Sequence, residues 1–380
     1  MRRTAGIASF LVAATTLVGA VPGSGAASTI TPGTLEFDAP SGLAIAGGHL
    51  WVTNEAGNSV TEIDPSSGAW LATFSRTKGY RFNRPTAITS DGADLFVTNA
   101  AGSVVEMRAG SGDLVRFIPG SHGAFVDPVA VDVSGNTILV LNAGRSSANN
   151  PVAGSITELN ARSGAVTRRV SGGSYGFDHP VAMTVAGPDA YVADEANNSM
   201  TEIAIASGRL VHVVTGQGLN SPDGIAVQDG NVWVSDSASD AATEITSATG
   251  AVEVTETDSD GQYGFGAPLM AIGTGGYVYI ASPFGSSPMV TKVSATSGQP
   301  SWYMCNTNGP YYFSLLSAFA VSGDNLWVAS RSGANSQTPG ASTGSLTELS
   351  TGSGALVMTL PLAPTSTSTT TTTTTTTTLP

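Results

Sequence analysis

One fifteen-residue block recurs seven times along the chain without an internal gap. It reads PSGLAIAGGHLWVTN at 40–54, PTAITSDGADLFVTN at 85–99, PVAVDVSGNTILVLN at 128–142 and LSAFAVSGDNLWVAS at 316–330, with further copies at 180–194, 222–236 and 268–282. An apolar residue stands three places before each copy: Phe37, Phe82, Phe125, Phe177, Leu219, Phe265 and Phe313. Further along each unit a Glu is followed six residues later by a Gly, as in Glu62/Gly68 and Glu348/Gly354, and the sixth unit has Lys292/Gly298 instead. The copies start 42 to 52 residues apart. That period fits propeller blades, and solenoid repeats are shorter.

Each unit reads as four short strands. In the first they are Leu43–Ala46, Leu50–Thr53, Val60–Ile63 and Trp70–Phe74, separated by Gly-rich and Ser-rich turns. Leu50-Trp51-Val52 is a continuous apolar run, as expected of a strand covered on both faces. A four-stranded unit cannot bury both faces alone, so the expectation is an all-β fold, a seven-bladed β-propeller of four-stranded antiparallel blades. Composition agrees: 41% hydrophobic residues, 46 Gly and only 11% charged residues exclude a disordered chain and a helical bundle. The single cysteine, Cys305, is expected to be buried and inert. A net charge of −13 excludes a nucleic-acid partner.

The two ends carry different signals. Residues 1–27 have the Arg2-Arg3, apolar and small-residue pattern of a secretory signal peptide. The propeller is expected over 28–363, and 364–380 reads as a Thr-rich solvated tail. Closure of the ring invites residues 29–36 to add an outer strand beside 355–360. The expected location is secreted, with cell-wall association as a variant, and no transmembrane anchor is expected in the mature chain.

Segments such as LWVTNEAGNSVTEIDPSSG and NVWVSDSASDAATEITSATG resemble the NHL, YVTN and streptogramin (virginiamycin B) lyase-like group of β-propellers. The resemblance implies the seven-bladed ring, on which the group carries scaffolds, ligand binders and a few enzymes. It also implies where catalysis would sit in a lyase, on a His/Glu set with a divalent metal, the Glu following the second strand. The matching positions here are Asn54, Asn99, Asn142, Asp194, Asp236, Ser282 and Ser330, none of them Glu.

Two functional readings follow. In the first, the chain is a noncatalytic binder of an extracellular protein, peptide or glycan, with no cofactor and no metal. Its binding face is the end of the ring where the strand 2–3 loops and strand 4–1 connections emerge. Two long loops, 143–154 and 331–344, overhang that end, and Tyr80, Tyr175, Tyr263, Tyr311 and Tyr312 join Asn54, Asn99 and Asn142 there as candidate ligand contacts. In the second reading, a lyase or hydrolase uses His179, Asp194 and Asp236 around a divalent metal. Among the other histidines, His122 lies in a strand 4–1 connection, whereas His49 and His212 sit elsewhere. The six strand 3 glutamates recur too regularly for a catalytic pair and are assigned to hydrogen bonds within the blade. Asp258-Ser259-Asp260-Gly261 opens like a calcium loop, but its twelfth position is Leu269, so a polar turn is expected.

Overall fold

The computed structural model describes residues 37–146, 151–258, 263–283, 288–306, 311, 313–331 and 344–360, with His122 described by its backbone alone. The leader, residues 29–36, the tail, Tyr312, residues 259–261 and the centres of both long loops lie outside the described residues.

Seven four-stranded antiparallel sheets follow one another, each drawing its strands in order from one continuous stretch of chain. The first comprises Pro40–Ala46, His49–Asn54, Ser59–Ile63 and Trp70–Ser75, and the seventh Leu316–Ser322, Asn325–Ser330, Ser345–Ser350 and Leu356–Leu360. The repeated block is therefore the inner hairpin of each blade, and its strands run longer than the apolar runs alone indicate. Among the described residues the helical structure is three short 3-10 turns, at Arg76–Lys78, Ser121–Gly123 and Gly173–Tyr175. No helix is long and apolar enough to cross a membrane among those residues.

The hydrophobic core is divided among the interfaces between blades. Seven clusters are formed, each filled from two adjacent blades: Trp51, Phe82, Leu95 and Met107 join the first two, and Phe37, Leu50, Trp327 and Leu346 join the last to the first. All seven residues of the repeated Phe/Leu position are buried, as is the whole of Leu50-Trp51-Val52. Each large apolar side chain so buried contributes roughly 1.5–3 kcal/mol. The ring is thus held by its interfaces, and a blade on its own would have no core.

The repeated Gly of the strand 3–4 turn has a packing reason. Gly112 has φ +71°, and a Cβ there would lie 2.0 Å from Phe74 Cζ on the outer strand of the preceding blade. Gly68, Gly164, Gly208, Gly250, Gly298 and Gly354 make the corresponding contact around the ring, Gly68 against Met358 and Leu360 of the seventh blade. The paired strand 3 Glu is held inside its blade: Glu106 by Arg116 at 2.7 Å, Glu158 by Arg168 at 2.6 Å, Glu62 by His49 at 2.5 Å and Glu348 by Asn325 at 2.9 Å. In the sixth blade Lys292 instead lies over the Tyr277 ring at 3.6 Å and donates to the Thr351 carbonyl of the seventh.

Candidate binding face

At the end of the ring where the strand 2–3 loops emerge, the last residue of strand 2 has the same task in six blades. Its side-chain oxygen accepts a backbone N–H sixteen residues earlier, in the connection arriving from the preceding blade. Asn99 accepts from Asn83 at 2.9 Å, Asn142 from Val126 at 3.2 Å, Asp194 from Asp178 at 2.6 Å, Asp236 from Asn220 at 3.2 Å, Ser282 from Gly266 at 3.2 Å and Ser330 from Ser314 at 3.3 Å. An N–H buried under a propeller connection needs such an acceptor. Any short side chain with an accepting oxygen serves, which is why the position alternates among Asn, Asp and Ser. Asn54 in the first blade differs: its Nδ2 donates to Thr61 at 3.0 Å, while its Oδ1 is buried with no partner among the described residues.

A second repeated element sets the edge of this face. The residue just before the inner strand, or before Pro268 in the sixth blade, has positive φ in every blade: Ala39, Arg84, Asp127, His179, Ser221, Ala267 and Leu315, with φ from 35° to 67°. None is glycine, and all but Leu315 precede a proline, before which this region is ordinarily avoided, so the position stores backbone strain. The kink aims its carbonyl at the residue that follows strand 2, as in Ala100 N–H to Arg84 O at 2.8 Å and Ala143 N–H to Asp127 O at 2.9 Å.

These constraints decide where the candidate residues stand. Asp194 and Asp236 are fully buried caps with both oxygens engaged, Asp194 also by Asn197 N–H at 3.0 Å and Asp236 by the Thr243 hydroxyl at 2.8 Å. Burial pushes their carboxyls up, to about 6 for Asp194 and about 7 for Asp236. His179 is exposed and lies 3.2 Å from Glu195. The structure does not gather these three into one ligand set: among the described residues no group of three or more His, Cys, Asp or Glu is placed to hold a metal ion.

The tyrosines pack into the ring. Tyr80, Tyr175, Tyr263 and Tyr311 stack on Phe82, Phe177, Phe265 and Phe313 with ring centroids 5.1 to 5.8 Å apart. Their hydroxyls bond within the fold: Tyr80 and Tyr175 reach the Gly112 and Gly208 carbonyls of the next blade at 2.6 and 2.8 Å, and Tyr263 donates to Glu256 at 2.5 Å. Asn99 and Asn142 likewise turn inward, both fully buried.

What distinguishes one blade from another on this face is the second residue of the repeated block. In six blades the inner hairpin carries a β-bulge there, which turns that side chain toward the neighbouring blade. Ser41, Thr86 and Ser317 use it to donate a hydroxyl to the first carbonyl of the following blade, at 2.7, 2.8 and 2.7 Å. The matching residues of the middle blades are Val129, Val181, Asp223 and Leu269, which make no such clasp. There the inner strands leave a cavity of about 360 Å³, walled by Val181, Met183, Asp223, Leu269, Met270 and Phe319 among others.

Asp223 has a buried carboxylate oxygen without a partner among the described residues, and burial pushes its carboxyl up to about 6. On the third blade's inner strand Asp132 accepts N–H bonds from Val133 at 2.8 Å and from Val185 of the next blade at 3.0 Å, and burial holds it near 6 as well. Neither acid was singled out from the sequence. The signal was there for Asp223, as the one carboxylate in a column of Ser, Thr, Val and Leu.

No family model matches the chain, and no curated protein matches its sequence. Solved structures share the fold. Virginiamycin B lyase from Staphylococcus aureus superposes with a TM-score of 0.60 at 14% identity, over 77% of this chain and 94% of that one. Kuenenia stuttgartiensis hydrazine synthase gives 0.60 at 16% identity, over 80% and 96%. BamB from Moraxella catarrhalis gives 0.51 at 16% identity, over 78% and 81%. At these identities the likeness is one of fold, the seven-bladed propeller.

Proposed function

We propose that the protein is an exported, noncatalytic propeller that binds an extracellular protein, peptide or glycan on its strand 2–3 and strand 4–1 face. The observation that carries this reading is the contrast on that face between repeated and unrepeated groups. The repeated polar residues, Asp194 and Asp236 included, are consumed as caps of the connections. Differences between blades lie on that face: the lengths inserted after strand 2 in the third and seventh blades, the missing clasps and the cavity at Asp223. A ring whose scaffold is uniform and whose variation lies on one face is arranged for recognition, since ligand sites are concave places with a few convergent polar groups. The bases of both long loops are tethered there, one by the Arg145–Val152 bridge and the other by the Phe37–Gly344 bridge. Export rests on the leader pattern of residues 1–27.

Affinity capture from extracellular and wall extracts tests the face, comparing the intact protein with a variant shortened in both long loops. Loss of the captured partner on shortening is expected, and unchanged recovery overturns the assignment. The noncatalytic part is tested by metal analysis of the purified protein. One equivalent of divalent metal, retained in the intact protein and lost in Asp236→Asn, overturns it.

A further inference from the structure

Between the first two blades, on the same face, lies a second cavity of about 430 Å³, lined by Arg76, Arg81, Asn83, Ala101, Gly102, Ser103, Phe117, Pro119 and Gly120. It is far from neutral. Residues 76–84, RTKGYRFNR, hold four of the chain's fifteen Lys and Arg and no acid, in a protein of net charge −13. Two of the four have partners: Arg84 pairs with Glu55 at 2.7 Å, and Lys78 donates to the Thr73 carbonyl at 2.8 Å. Arg76 and Arg81, the two that line the cavity, are in no ion pair among the described residues. The Arg81 guanidinium lies over the Phe117 ring, 4.9 Å from its centroid. Stacking of this kind holds the planar fork while leaving its N–H edge open.

We infer that this cleft binds a small organic oxyanion, a carboxylate or a phosphate or sulfate monoester carried on a flat apolar body. Two guanidinium groups match the paired oxygens of such a head group, and charge-assisted contacts of this type are the strong ones. Phe117, Pro119 and Ala101 offer apolar surface for the body, and the volume falls within the range of small-molecule sites. An acidic chain that keeps two arginines lining one cavity outside its ion pairs has kept a local positive field against its overall charge. The inference deepens the binding reading above and rests on it for the face alone.

The test is calorimetric titration of the full chain with phenyl phosphate, benzoate and benzyl alcohol, repeated with the Arg76→Gln/Arg81→Gln variant. Phenyl phosphate or benzoate is expected to bind and benzyl alcohol not, and the better of the two anions identifies the head group. The double variant should weaken binding about tenfold or more, and raising salt from ~0.05 to ~0.5 M should weaken it in the intact protein. The two arginines are exposed, so an unchanged thermal midpoint in the variant separates lost binding from lost fold. Anion binding equal to that of benzyl alcohol, or unchanged in the double variant, overturns the inference. Partner capture with the loop-shortened protein is independent of these titrations. If capture is lost on shortening while the titrations fail, the cleft alone is wrong; if the titrations succeed while capture is unaffected, the partner-binding face is wrong.

Discussion

The Ser317 hydroxyl in the last blade donates to the carbonyl of Pro40, the first residue of the first blade's inner strand, at 2.7 Å and across 277 positions of sequence. The bond repeats at the ring's seam the clasps that Ser41 and Thr86 make between consecutive blades. Among the described residues the seam is held by this clasp, by the Phe37–Gly344 bridge, by the Arg331–Glu55 ion pair and by the core of Phe37, Leu50, Trp327 and Leu346, with Met358 and Leu360 against Gly68 and every sheet keeping its own four strands. Ser317→Ala should therefore cost about 0.5–1.5 kcal/mol, a fall of a few degrees in thermal midpoint. Ser41→Ala should cost more, because the Ser41 hydroxyl also bonds the Thr53 hydroxyl at 2.9 Å, whereas beyond its clasp Ser317 has only a 3.4 Å approach to the Ala329 carbonyl. An effect at Ser317 near zero beside a clear one at Ser41 would show that the seam does not depend on the clasp.

The turn glycines separate two costs that are usually mixed. Gly112 has φ +71° and no room for a Cβ beside Phe74, whereas Gly123 has φ +72° with nothing within 4 Å. Gly123→Ala should lose only the backbone term, about 1 kcal/mol. Gly112→Ala adds a clash with a ring packed between blades and should lose about 3 kcal/mol or more. Chemical denaturation of both variants measures the difference, and equal losses would refute the packing role of the repeated glycine.

Asp236 makes stability depend on pH in an uncommon direction. Its carboxyl titrates near 7 in the folded chain against 3.8 for the ordinary group, because burial disfavours the charge. Between those values the folded chain keeps a proton that the unfolded chain has released, so stability falls as pH rises from about 4 to about 7 and the penalty is complete above. Asp236→Asn removes the charge and keeps the acceptor, as Asn99 and Asn142 already do in their blades. The variant should be more stable than the natural protein at pH 8, by at most on the order of 3–4 kcal/mol, with the advantage shrinking toward pH 4. Denaturation midpoints at both pH values check this. A variant less stable at pH 8 would assign the carboxylate a role beyond capping.

Strain before the inner strands can be relieved where the side chain does little. Ala267 has φ 46°, and its N–H is bonded to Asp240 at 2.6 Å, a bond that a glycine keeps. Ala267→Gly should stabilise the protein, by up to about 1 kcal/mol after the extra freedom of the unfolded glycine is subtracted. The measurement is again the denaturation midpoint, and a loss of stability would mean that the kink is not strained.

The ring is legible in the repeat: a block recurring every 42 to 52 residues with fixed Phe, Glu and Gly offsets requires seven equivalent units, because each position in a blade meets the same neighbours. For the same reason the recurrence of the strand 3 Glu was readable as structural, and the Arg116, Arg168 and His49 contacts are what it does. The individual candidates were not readable in that way. A Tyr beside a Phe in a connection has the same composition whether its ring faces solvent or stacks inward, and Asp at the end of strand 2 looks alike as a ligand or as a cap. Long-range packing resolves these, because the partner of each is a backbone group of another segment: Gly112 for Tyr80, Asn220 for Asp236. It alone also brought Arg76 and Arg81 against Phe117 across a blade boundary, since a pattern that repeats within one unit carries no trace of what two units form between them.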